Sequence, residues 1–135
     1  MNLNPWVIPG SLRNLPAVDG QVPGFRFVFR TPGITFFYVA HRVSLSVDGA
    51  DYSRNLRLKH RNTTVLATDL PTTDWVCTVG EPIEVIAECP GGLAPGRHRV
   101  KLQILFGGGY GGAGDSGRWR TLCEFEDQVR GSWRE

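Results

Sequence analysis

The groups able to do chemistry in this chain of 135 residues are few and scattered. Its histidines are His41, His60 and His98. None stands in the H-x-H or helical spacing that would put two imidazoles on one metal ion, so a cupin-type or zinc site lacks its ligands. Cys77, Cys89 and Cys123 form no C-x-x-C pair, which argues against a zinc ribbon and a thioredoxin-like motif. Each lies in an apolar segment, where a free cysteine packs as a small hydrophobe. Neither Ser11 nor Ser116 sits in a G-x-S-x-G elbow. Acid–base work on a sugar needs two carboxylates facing each other a few ångströms apart. Glu84 and Glu88 share one strand face, and Glu124 and Glu126 another. The first pair flanks an apolar stripe and reads as solvated. The second lies near the chain end, where fraying is expected.

Two further features suit contact better than catalysis. The segment 107–117, GGGYGGAGDSG, satisfies G-x-G-x-x-G at Gly107, Gly109 and Gly112. A dinucleotide site needs that turn to open a helix, and here it runs into the extended Arg118-Trp119-Arg120. A plain hairpin tip is the simpler reading. A loop so rich in glycine nevertheless carries a large ordering entropy, and loops of this length are often binding elements. Tyr110 is the expected anchor of such contact and Asp115 its polar partner. Phe36, Phe37 and Tyr38 put large rings on both faces of one segment, so one face is expected to meet something besides the core. Trp119 belongs with them, because tryptophan and tyrosine concentrate in interfaces and sugar-binding surfaces.

The elements that must hold these residues are strands. Phe25, Phe27 and Phe29 alternate with Arg26 and Arg30; Val43, Leu45 and Val47 alternate with Ser44, Ser46 and Asp48. Ile83, Val85 and Ala87 alternate with Glu84 and Glu88, and Val100, Leu102, Ile104 and Phe106 with Arg99, Lys101 and Gln103. Period 2 marks half-buried strands. Shorter strands are expected at 56–60, 64–68, 75–79 and 118–125. Asp19-Gly20 and Asp48-Gly49 are tight-turn dipeptides, and Pro90-Gly91-Gly92 and Pro95-Gly96 break the chain between strands. No sustained 3.6-residue apolar period occurs. The expectation is all-β: a single-domain antiparallel β-sandwich over residues 1–135, immunoglobulin-like or jelly-roll-like, of about eight strands with no long helix. Residues 1–10 form an N-terminal arm.

With 41% hydrophobic residues, a domain of this size can bury an ordinary core without disulfides or metal. A net charge of +2 gives no ground for nucleic-acid binding. The basic clusters at 59–61, 97–99 and 118–120 read as solvated sheet faces. The N-terminus does not resemble a signal peptide and no apolar run approaches membrane-spanning length. A cytoplasmic protein is expected, with no membrane partner, and the cysteine usage agrees.

Taken in order, Ser11-Leu12-Arg13-Asn14, Asp19-Gly20, Gly24-Phe25-Arg26-Phe27, the aromatic stretch with Tyr38, Val47-Asp48-Gly49, Trp75, Glu81-Pro82-Ile83 and Gly91-Gly92-Leu93-Ala94-Pro95-Gly96-Arg97-His98 resemble the β subunits of bacterial C-glycoside deglycosidases, over roughly residues 11 to 106. The resemblance implies a small sandwich that pairs with an α subunit similar to sugar-phosphate isomerase barrels. Together they would cleave the carbon–carbon bond between a 3-keto sugar and an aromatic, flavonoid-type aglycone. The resemblance places the divalent metal, of the Mn or Mg type, and the general base in the barrel subunit. This chain would then bind no cofactor, carry no catalytic residue and be inactive alone. Phe36, Phe37, Tyr38, Tyr110, Asp115 and Trp119 would contact the substrate or the partner. A stand-alone carbohydrate- or protein-binding sandwich, and a purely structural subunit of another enzyme, are the alternative readings.

Overall fold

A computed structural model describes residues 7–31, 35–36, 40–72, 76–77, 80–106 and 119–129, with backbone alone at 35–36, 40–42, 70–72, 76–77, 106, 119–120 and 122. The alternating stretches become strands: β1 (Arg13–Asn14), β2 (Gly24–Arg30), β3 (Thr35–Phe36), β4 (Ala40–Val47), β5 (Ala50–Asp51), β6 (Arg57–His60), β7 (Thr63–Leu66), β8 (Val76–Cys77), β9 (Pro82–Glu88), β10 (Gly96–Phe106) and β11 (Trp119–Val129). Nine of them build two antiparallel sheets, ordered β1-β2-β9-β6-β7 and β11-β10-β4-β5, while β3 and β8 pair as a short ribbon. The all-β, sandwich-like class read from period 2 is the class observed.

Alternation decides what lies between the sheets. Phe25, Phe27, Phe29, Ile83, Val85 and Ala87 line the inner face of one sheet, and Val43, Leu45, Val47, Val100, Leu102 and Phe125 that of the other. All are buried in one cluster. Phe27 of β2 meets Phe125 of β11 across the interior, ring centres 5.2 Å apart and planes tilted by 59°. Each such ring contributes roughly 2 kcal/mol by leaving water. Phe25 meets the edge of Tyr52 at 5.3 Å, which closes the core beside β5.

Turn chemistry also behaves as expected. Asp19-Gly20 and Asp48-Gly49 both adopt positive φ at both residues, 53° and 79° in the first and 53° and 83° in the second. This is the geometry of the tight hairpin turn that asparagine, aspartate and glycine tolerate.

Two expectations need correcting. The strand expected over 64–68 stops at Leu66, and Ala67–Thr72 forms a 3-10 helix instead. The Ala67 amide still keeps the β6–β7 register, donating to the Leu56 carbonyl at 2.8 Å; beyond it the chain coils, and Pro71 has no amide with which to resume a ladder. Of the strand expected over 75–79, Val76–Cys77 is strand, and 75, 78 and 79 lie outside the described residues. The last strand, expected over 118–125, runs on to Val129, so Glu124-Phe125-Glu126-Asp127 is not frayed. Register pairs β11 with β10 from Leu105↔Trp119 to Gly96↔Val129. Asp127 Oδ2 accepts from the amides of Gly10 and Leu12 at 3.0 and 3.3 Å, tying the N-terminal stretch to this strand.

Candidate functional site

Register brings most of the chemistry-bearing segments to one end of the sandwich. Phe106 pairs with Ala40, and Leu105 pairs with both Arg42 and Trp119. The chain therefore enters β4, leaves β10 and enters β11 at neighbouring positions. The β3–β8 ribbon, which contains Phe36, pairs Thr35 with Cys77 and Phe36 with Val76 on the connections from β2 to β4 and into β9. The backbone at Phe36 and Trp119 is thus strand on segments that converge on one end. Phe37, Tyr38, Tyr110 and Asp115 lie outside the described residues, as do the side chains of Phe36 and Trp119.

Two irregularities mark the same end. The β10–β11 register shifts between Leu102 and Gln103, leaving Leu122 as an extra residue. The β10–β4 register shifts between Leu105 and Phe106, leaving His41 as another. Such bulges bend a strand and change where the following residues are aimed, and they are frequent beside binding sites. Here they precede the points where the aromatic and glycine-rich segments leave the sheet.

The rim of this end is charged. Glu81 accepts from Arg61 Nε at 3.2 Å and Arg61 Nη2 at 2.7 Å. Its other oxygen lies 3.4 Å from His60 Nε2. Arg30 donates to the Gly80 carbonyl at 2.9 Å, and Thr31 and Gly80 exchange backbone bonds with their neighbours. These contacts fix the route from β8 into β9. His60 is buried and is held by this contact, in keeping with a structural role.

At the opposite end a second histidine is held more tightly. His98 Nδ1 donates to Asp48 Oδ2 at 2.6 Å, and Nε2 donates to the Ala94 carbonyl at 2.7 Å. Asp48 Oδ1 also accepts from the Arg99 amide at 2.9 Å. Burial alone would lower the His98 pKa, but the Ala94 carbonyl and the Asp48 carboxylate together raise it above its ordinary 6.5. Asp48 is lowered by the Arg99 amide first and by His98 second. Both ring nitrogens of His98 are engaged within the chain, one by the Asp48 carboxylate and the other by the Ala94 carbonyl. His98 clasps the β4–β5 turn to the β9–β10 connection. The sequence places Asp48 in a tight turn and His98 in a basic cluster on a solvated sheet face. Only the pairing of Val47 with Val100 brings the two together.

The remaining candidates separate. Glu84 pairs with Arg26 at 3.4 Å, and Glu88 accepts from Asn55 at 3.0 Å. Glu124 and Glu126 share Arg99, at 3.3 and 3.4 Å. None of these carboxylates faces another across a cleft. Burial pushes the Cys123 thiol up to about 12. Cys89 is half-buried, with Sγ 3.4 Å from the Gly92 carbonyl, and Cys77 has no described side chain. Among the described residues, no three of His, Cys, Asp and Glu converge as a metal site would require, and no helix is long and apolar enough to cross a membrane.

Comparison with known proteins gives this arrangement a context. No curated protein matches the chain significantly. The family model described as C-glycoside deglycosidase beta subunit matches residues 4–110, most of the chain. The chain belongs to that family.

Proposed function

We infer, from membership of the C-glycoside deglycosidase beta subunit family, that this chain works with a partner subunit to cleave a C-glycoside. The match over residues 4–110 is the observation that carries the reading. In this proposal the partner is an isomerase-like barrel and the substrate a 3-keto sugar joined through carbon to a flavonoid-type ring. The keto group acidifies the adjacent C–H bond. Loss of that proton gives an enolate; as the carbon–carbon bond breaks, the sugar is left as an enone and the departing aromatic carbon takes up a proton. A divalent metal of the Mn or Mg type, held by the barrel, supplies charge stabilisation when bound.

The residues of this chain take no proton in the scheme. Their work is to wall off the site, because an enolate is better stabilised where water is excluded and dipoles are fixed. Phe36, Phe37, Tyr38 and Trp119 offer flat apolar surface suited to an aromatic aglycone. Tyr110 and Asp115 lie on the loop that would close over it. The convergence of their flanking strands on one end of the sandwich supports this placement.

The test is to co-express both subunits, purify the complex and compare Phe36→Ala and Trp119→Ala with the parent. Turnover of a 3-keto C-glucoside is expected to fall roughly tenfold or more in each, with the subunits still co-eluting. Unchanged turnover in both variants would remove these residues from the site. Loss of assembly with unchanged turnover per complex would favour a purely structural subunit.

A further inference from the structure

The two outer faces of the sandwich differ in how their charges are balanced. On the β11-β10-β4-β5 sheet, the outward residues compensate each other. Arg99 reaches Glu124 and Glu126, and Arg97 reaches Glu126 at 3.5 Å. That face is the solvated surface its alternation predicts.

The outer face of the β1-β2-β9-β6-β7 sheet is different. Register aligns Arg13 with Arg26, Arg26 with Ile86, Ile86 with Arg57 and Arg57 with Leu66. One row thus crosses all five strands, roughly 19 Å at the usual strand spacing, with arginines on both sides of a half-buried isoleucine. Only Arg26 is tied down, to Glu84 at 3.4 Å. Arg13 and Arg57 are exposed and meet no carboxylate within 4.0 Å among the described residues. Arg30 and Lys59 add positive charge on the same face. Beside Arg57 lies a recess of about 140 Å³, walled by Leu15, Pro23 and Ile86 among others. At the edge of the row Leu66 is 37% exposed.

We propose that this arginine row is the surface on which the chain docks its catalytic partner subunit, and that the partner presents carboxylates around a protruding apolar side chain. The proposal rests on the heteromeric reading above and adds the face and its chemistry. Guanidinium forks bind carboxylates in bidentate fashion and desolvate more readily than ammonium groups, which suits an interface. Interfaces commonly place arginine beside an apolar centre. A nucleic acid fits less well. The whole chain carries only +2, too little to hold a phosphate backbone.

The experiment measures binding of the purified chain to the barrel-type subunit by calorimetry at low and moderate salt. The variants are Arg13→Glu with Arg57→Glu on the proposed face, and Arg97→Glu with Lys101→Glu on the opposite face. Circular dichroism confirms that each is folded. The proposal expects wild-type binding to weaken with salt, the first variant to bind roughly tenfold or more weakly, and the second to bind like wild type. If wild type binds and the first variant binds equally well, the docking face is wrong while the subunit reading stands. If wild type shows no affinity for the barrel subunit, both fail. Tighter binding of the chain to a 30-mer duplex DNA than to the subunit would also overturn the proposal.

Discussion

Asp48 and His98 show how single residues hold this fold and how their charge states enter its stability. His98 has its pKa raised in the folded chain above the ordinary 6.5. Its contribution is therefore complete below that ordinary value and is lost as pH rises through the folded value. Asp48 is lowered from its ordinary 3.8, so its contribution is present above that value and is lost as pH falls through the folded one. The pair is expected to work best between the two. Asp48→Asn keeps a residue that tolerates positive φ in the turn but removes the charge. It should cost about 1 kcal/mol and flatten the fall in melting temperature above pH 6.5. Thermal melts of both proteins from pH 5 to pH 9 check this. The thiols give a second test at the same scale. Cys123 is buried, with its pKa pushed to about 12. In the native protein iodoacetamide should modify Cys89 well before Cys123, and mass spectrometry of digested samples reads the order. The roles of these residues were not legible in the sequence. Asp48 and His98 are 50 positions apart, and each has an adequate local explanation, as turn former and as solvent-side ring. A clasp made through strand register leaves no local pattern.

Elements were more legible, because period 2 reports directly which side chains face the core. Among the described side chains, β2, β4, β9 and β10 follow the alternation, and their inward residues from Phe25 to Ile104 lie in the core. The failures are physical too. Val65-Leu66-Ala67 reads as strand, and the Ala67 amide keeps that register by bonding Leu56, but the chain then coils into the 3-10 helix Ala67–Thr72, a change of backbone the local pattern does not encode. The long β11 was cut short in the reading because residues near a chain end are expected to fray, yet Asp127 is held against the amides of Gly10 and Leu12. Two substitutions probe this level. A side chain on Gly24 would overlap the backbone oxygen of Ala87 in the neighbouring strand. Gly24→Ala is therefore expected to destabilise by about 3 kcal/mol or to prevent folding. Phe125→Ala, which empties the cross-sheet contact with Phe27, is expected to cost about 4 kcal/mol. Urea denaturation measures both, and a loss under 1 kcal/mol for Phe125→Ala would contradict the packing described.

For the whole molecule, the sandwich is a platform with distinct surfaces. One end gathers the segments bearing Phe36 and Trp119, the opposite end is locked by the Asp48–His98 clasp, and one sheet face carries the arginine row. The ordered string from Ser11 to His98 made the family legible, and the family model agrees over residues 4–110. The candidate contacts were legible only as residue types. That the segments bearing Phe36 and Trp119 meet at one end depends on the pairings Phe106↔Ala40 and Leu105↔Trp119, and pairing between strands distant in sequence cannot be read from either strand alone.

The central claim is that this chain acts as one subunit of a C-glycoside-cleaving enzyme. The direct measurement is to titrate it into a fixed amount of the separately purified barrel-type subunit and follow aglycone release from a 3-keto C-glucoside. The account predicts little turnover from either protein alone and a rate that rises with added chain to a plateau at a fixed stoichiometry. Full activity of the barrel subunit alone, unchanged by this chain, would contradict it.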